Sequence, residues 1–201
     1  MTQITTPKGR ARWPKLNEPD RKFNHNGEYS AELALEGEDA EQLKAKLEAI
    51  YEKEYERMCI REGKKKLKRC PLPIKAVTDQ NGEETGETGF RFKLKALVET
   101  RDGRSWEQRP DLFDAQGNCM SEAIGGGSLI RISSEPAPWY TVSLGFGLTL
   151  RLRGVQVLEL KAPSGGDATS YGFEKEEGFE TSEDFAAQFS GVEDTSESED
   201  F

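Results

Sequence analysis

Histidine is almost missing from this chain: one, His25, stands in 201 residues. It lies between Asn24 and Asn26 in a stretch of turn formers, and no Ser/His/Asp or Cys/His arrangement assembles around it. That argues against the common nucleophile–base enzymes and leaves no catalytic residue to name. Cysteine is scarce too. Cys59, Cys70 and Cys119 are odd in number and irregularly spaced, which fits reduced thiols and provides no Cys-x-x-Cys pair to nucleate a zinc site. Gly125-Gly126-Gly127-Ser128 lacks the Gly-Lys-Ser/Thr continuation of a phosphate loop and reads as slack between strands. No apolar run approaches the roughly 18 residues of a membrane span, and Met1 to Pro7 has no apolar secretory core. The expectation is a cytoplasmic protein that uses no metal or cofactor and no membrane.

Positive charge is nearly lacking in the last fifth of the chain. Of 37 acids and 28 bases, twelve acids and one base (Lys175) fall in residues 162–201. The remaining 25 acids and 27 bases belong to residues 1–161, so the overall −9 hides a slightly basic body. Such asymmetry is a signature of nucleic-acid partners. The acidic segment opens with Pro163-Ser164-Gly165-Gly166 and is rich in Glu, Asp, Ser, Thr and Gly. It has too little apolar surface to offset its ordering entropy, so a disordered tail over 162–201 is expected beyond one compact domain over 1–161.

Within that domain the hydrophobic period is mostly two. Gly9 to Trp13 and Gly27 to Leu35 read as strands around a turn-rich Asn17 to Asn26. Phe90, Phe92, Leu94, Ala96 and Val98 share one face, which puts Arg91, Lys93 and Lys95 on the other. Ile130 and Ile132 bracket Arg131 in the same way. Leu148, Leu150 and Leu152 alternate with Thr149, Arg151 and Arg153, and the phase flips at Gly154, a natural β-bulge. From Glu38 to about Cys59 the period becomes helical, with Ala40, Leu43, Leu47, Ile50 and Met58 on one stripe. One helix inserted among strands points to a small, mainly β barrel instead of a parallel α/β fold.

Bases and rings recur together on the β segments. Arg10, Arg12, Trp13 and Lys15 form one cluster, Arg21, Lys22 and Phe23 a second, and Arg101, Arg104, Trp106 and Arg109 a third. Arg91, Lys93, Lys95, Arg131, Arg151 and Arg153 add cations in outward phase. A flexible single strand needs cations along its phosphates and flat rings for its unpaired bases. Any one of these residues could be ordinary core or solvated surface; the clustering carries the inference.

The segment Arg12-Trp13-Pro14-Lys15-Leu16-Asn17, followed by Pro19-Asp20, Phe23-Asn24 and Gly27-Glu28-Tyr29-Ser30, resembles the replication single-stranded DNA-binding proteins of short-tailed bacteriophages. The closing stretch from Gly147 to Leu160 is similar to the same family. The resemblance implies an OB-fold with an inserted helix, binding of single-stranded DNA without sequence preference, and work in phage genome replication and recombination inside the bacterial host. The ending Ser198-Glu199-Asp200-Phe201 is similar to the acidic, phenylalanine-terminated tails of such proteins. It implies that Glu199, Asp200 and Phe201 engage replication proteins such as a polymerase or a helicase/primase, although the proline of the bacterial version is missing. A homodimer is compatible with the sequence. The rival expectation is an acidic DNA mimic that binds a DNA-processing enzyme.

Overall fold

The computed structural model describes residues 3–22, 24–79, 81–100 and 102–163. Ten strands and one helix follow in order: β1 (Ile4–Thr5), β2 (Gly9–Asp20), β3 (Glu28–Leu35), α1 (Gly37–Arg61), β4 (Ile74–Thr78), β5 (Glu84–Lys95), β6 (Leu97–Glu99), β7 (Ser105–Glu107), β8 (Asp111–Phe113), β9 (Leu129–Thr141) and β10 (Gly145–Glu159). Five of them close a ring. β2 pairs with β3, β3 with β5, β5 with β10 and β10 with β9, and β9 returns to β2 through Gly9↔Ile130 and Arg10↔Leu129. Every barrel pairing is antiparallel except β5 with β10, where Leu150 meets Phe92 and Arg151 meets Lys93 in parallel. This is the five-stranded Greek-key closure of an OB-like barrel, with α1 inserted between β3 and β5.

Alternation does the building. Phe90, Phe92 and Leu94 of β5, Ile130 and Ile132 of β9, and Leu148, Leu150 and Leu152 of β10 are buried, and their neighbours Arg91, Lys95, Arg131, Arg151 and Arg153 are exposed. The β9–β10 register slips between Leu152 and Gly154, so the bulge expected at Gly154 is present, and the phase flip keeps Val155 and Val157 inside.

The helix packs on the barrel through a stripe longer than its aliphatic residues indicate. Tyr51 and Tyr55 are buried with Ala40, Leu43, Leu47, Met58 and Cys59, and Ile50 is only half-buried. Both rings meet fully buried Phe146 edge-on, at 4.9 and 5.6 Å between centroids. Their hydroxyls reach the segment after the helix: Tyr51 donates to the Cys70 carbonyl at 2.7 Å, and Tyr55 bonds the Leu67 carbonyl and amide, each at 3.0 Å. Arg69 lies 3.8 Å over the Tyr55 ring and grips both oxygens of Glu52, whose carboxyl those hydrogen bonds hold below its ordinary range.

Two expectations are corrected. β2 runs unbroken to Asp20 through the proposed turn region, because register shifts between Arg12 and Lys15 and between Lys15 and Asp20 let Pro14 and Pro19 sit where the ladder with β3 needs no donor. The triglycine segment is a packed junction, not slack. Gly125 N donates to the Lys161 carbonyl at 2.8 Å, Gly127 N to Ala11 at 2.7 Å, and Lys161 N to the Ser128 hydroxyl at 3.0 Å. These bonds fasten the end of the barrel chain onto the loop before β9. The acidic tail beyond Pro163 lies outside the described residues.

Phe146 joins helix, β10 and the 67–70 segment, so Phe146→Ala should cost about 3–5 kcal/mol, as other large-to-small aromatic truncations in cores do. Guanidinium unfolding measures it; a loss below about 1 kcal/mol would mean that helix and barrel do not depend on this contact.

Candidate nucleic-acid interface

Cross-strand register turns the outward residues into rows. Lys15 stands opposite Ser30, Ser30 opposite Lys93, Lys93 beside Arg151, and Arg151 opposite Glu135. One step along the strands a second row joins Arg12, Glu32 and Arg91. Two antiparallel pairings and one parallel pairing thus place cations from three separate sequence segments, β2, β5 and β10, on one continuous surface, with Glu135 of β9 beside them.

At one side of this surface lies a groove of about 540 Å³ lined by Glu28, Lys93, Lys95, Trp106, Trp139 and Arg151, among others. Trp106 comes from the β6–β7 hairpin, opposite Val98, and is 49% exposed. Trp139 comes from β9 opposite Gly147, and a Cβ at Gly147 would lie 2.2 Å from its ring, so only glycine lets the indole rest flush on β10. The indole Nε1 donates to the Thr149 hydroxyl at 3.1 Å, fixing its orientation. Two rings therefore border one groove, one held against the sheet and one on a projecting hairpin. Lys93 is paired with Glu28 at 2.6 Å, whereas Lys95 and Arg151 make no ion pair among the described residues.

A second cleft of about 520 Å³ lies on the other side of the hairpin, lined by Arg21, His25, Tyr29, Glu107 and Arg109. Gln108 borders both spaces, its amide N bonded to Ala96 O at 2.8 Å and its Nε2 to Lys95 O at 2.9 Å. The hairpin base is tied to the β2–β3 loop by Ala96 N to Gly27 O and Leu97 N to Asn26 O, both 3.0 Å.

The groove and cleft gather Lys93, Lys95, Trp106, Arg151, Arg21 and Arg109 from the expected set. Lys15 extends the Lys93 row, and Arg12 and Arg91 extend the row beside it. Trp13 is 75% exposed on a β2 bulge and has the sole positive φ (49°) of a non-glycine residue among those described. Lys22 is exposed, its amide bonded to Asp20. Others stand apart. Arg10 reaches the Gly127 carbonyl at 3.4 Å, Arg131 lines clefts with Thr5 of β1, Arg104 pairs with Asp102 near the hairpin tip, and Arg153 faces Glu135 at 3.9 Å. Phe23, Arg101, Glu199, Asp200 and Phe201 lie outside the described residues.

Trp139 and Gln108 were missed from the sequence. Outward phase runs Arg131, Ser133, Glu135, Ala137, Trp139, so alternation from Ile130 and Ile132 would have found the indole had Pro136 and Pro138 not obscured the strand.

Among solved structures, the chain is similar to gp2.5, a single-stranded DNA-binding protein encoded by bacteriophage T7, with a TM-score of 0.67 and 21% identity over 90% of this chain and 99% of that one. It is also similar to the single-stranded DNA-binding protein from bacteriophage Enc34 in complex with ssDNA, with a TM-score of 0.59 and 17% identity over 81% and 89% of the two chains. A C-terminal truncation of the Enc34 protein matches at 0.55 and 16% identity, over 80% and 87%. These likenesses establish the shared fold. No protein-family model matches the chain, and no curated protein does.

The flush seat of Trp139 is testable alone. With Trp13 and Trp106 replaced by Phe, Gly147→Ala should lift the remaining indole off β10 and raise its quenching by acrylamide. Unchanged quenching would mean that the ring does not rest on Gly147.

Proposed function

We propose that this protein binds single-stranded DNA without base-sequence preference, in the groove between Trp106 and Trp139 and onward past Gln108 into the Arg21–Arg109 cleft. The observation that carries this reading is the pairing of two accessible indoles in one groove with Lys95 and Arg151, which have no ion-pair partner among the described residues. Rings accept any base by its flat face, each stack contributing about 1–3 kcal/mol, and cations accept any phosphate. No base-edge reading is needed. The fold shared with the Enc34 protein, whose structure includes ssDNA, supports the same assignment.

The protein divides, in this reading, into a DNA-holding domain over 1–161 and an acidic tail over 162–201. The tail competes with DNA for the groove. Tethering gives even a weak polyanion a millimolar-range effective concentration, and Tyr171, Phe173, Phe179, Phe185 and Phe189 let it stack as well as pair. Glu199, Asp200 and Phe201 recruit a replication protein, a polymerase or a helicase/primase, and the setting is phage genome replication and recombination in the cytoplasm of the host bacterium.

Fluorescence anisotropy with a labelled oligonucleotide tests the reading. Affinity should fall with salt toward a floor supported by stacking, with little difference among base compositions. Trp106→Ala and Trp139→Ala should each weaken binding by about 5- to 150-fold, the equivalent of one lost stack, and leave the melting transition nearly in place. Absence of binding by both the full chain and residues 1–161 would refute the function and favour the acidic mimic.

Truncation after Lys161 isolates the tail's part. It should tighten single-strand binding, most at low salt, where attraction between tail and barrel is least screened. Equal affinities at low salt would remove the tail from competition and leave it only a partner role.

A further inference from the structure

Glu32 is the charged residue whose position the groove does not explain. It sits in outward phase on β3, yet only 6% of its surface is exposed. Its side chain leans over Gly89 of β5, where a Cβ would come within 2.9 Å of Oε1, so the carboxylate occupies space that glycine leaves free. Two cations lie against it. Lys75 of β4 approaches Oε2 at 2.9 Å, and Arg12 of β2 approaches Oε1 at 3.4 Å with 27% of its side chain exposed. Oε1 has no hydrogen-bond donor, so the pairing with Arg12 is charge attraction without a formed bond. Arg91, directly opposite Glu32 on β5, is exposed.

Lys75 and Arg91 therefore present positive groups to solvent, and half-buried Arg12, whose Nη2 also donates to the Thr78 carbonyl at 3.2 Å, stands with them over one negative group seated beneath. The carboxylate is removed from water and little screened. It lowers the potential that an arriving phosphate meets at all three. This cluster adjoins the groove: Arg91 and Lys93 are two residues apart on the same face of β5, and Lys93 lines the groove. Exposed Trp13 follows Arg12 in the β2 bulge.

We propose that Arg12, Lys75 and Arg91 form a phosphate subsite that continues the groove across β5 and β3, with Glu32 as its built-in counter-ion. Resting on the single-strand reading above, this deepens it: the buried carboxylate sets how tightly and how salt-sensitively the strand is held. An internal anion lets the protein keep its cations in place and still release the strand, because part of their charge is already neutralised before DNA arrives.

The experiment is a salt titration of oligonucleotide binding by the full chain and by Glu32→Gln, which keeps the shape and removes the charge. Expected is a gain of roughly three- to tenfold at low salt and a steeper dependence of log affinity on log salt, by about 0.7 for each cation released to a phosphate. Lys75→Ala should do the reverse, flattening the slope by about 0.7. If Glu32→Gln loses its cooperative melting transition, Lys75→Ala decides, since Lys75 lies on β4 with 62% of its side chain exposed. Unchanged or weaker binding by a folded Glu32→Gln, or an unchanged slope in Lys75→Ala, overturns the subsite while leaving single-strand binding by the parent protein intact. Failure of the parent protein to bind would instead overturn the functional reading itself.

Discussion

The ladder between β9 and β10 is the constraint on which the other parts depend. It runs from Gly145↔Thr141 to Glu159↔Leu129 and is the most extensive pairing in the barrel. One of its strands reaches β2 and the other reaches β5, so the ladder closes the ring. Its turn end brings Phe146 under the helix tyrosines, and the chain leaving its far end ties Lys161 to the Gly125–Ser128 loop. The same ladder seats Trp139 on Gly147, and the pairing of its β10 strand with β5 sets Arg151 beside Lys93. Closure, helix docking and the ring-lined groove thus share one set of backbone bonds, which are cooperative because none can shift register without turning apolar residues outward.

Charge in this protein is arranged by position more than by amount. A net charge of −9 looks wrong for a partner of DNA, and the barrel segment alone is close to neutral. Neutrality on average still allows a basic face when period-two alternation sends Lys93, Lys95, Arg91 and Arg151 to the outer surface of adjoining strands. Lys93 among them is already matched by Glu28, and Lys75 of β4 is matched by Glu32. Under the proposed function such matching moderates the cations, since every phosphate neutralised steepens the dependence on salt.

The β6–β7 hairpin gives the surface its relief. Without it, the outer faces of β3, β5 and β10 would be a shallow sheet; with it, Trp106 rises above the floor and a groove and a cleft form on its two sides. Its sequence is short and polar, and its placement rests on backbone bonds from Ala96 and Leu97 to the β2–β3 loop. These are contacts between segments about seventy residues apart in the chain, and local patterning does not encode them.

What the residues alone determined was whatever depends on near neighbours. Alternation in β5 and β10 assigned the inner and outer faces, the change of period found the helix, the phase flip located the bulge at Gly154, and composition separated the acidic segment. Tertiary structure decided what depends on register. Strand pairing, not sequence spacing, put Lys93 beside Arg151 and moved Arg131 to the β1 side, and closure against β10 gave Trp139 its flat seat. Tyr51 and Tyr55 were hidden from an aliphatic stripe because their hydroxyls needed partners that the 67–70 segment and the Phe146 carbonyl supply. The triglycine segment read as slack because glycine marks freedom and close approach alike, and only the folded chain shows that Lys161 lies against it.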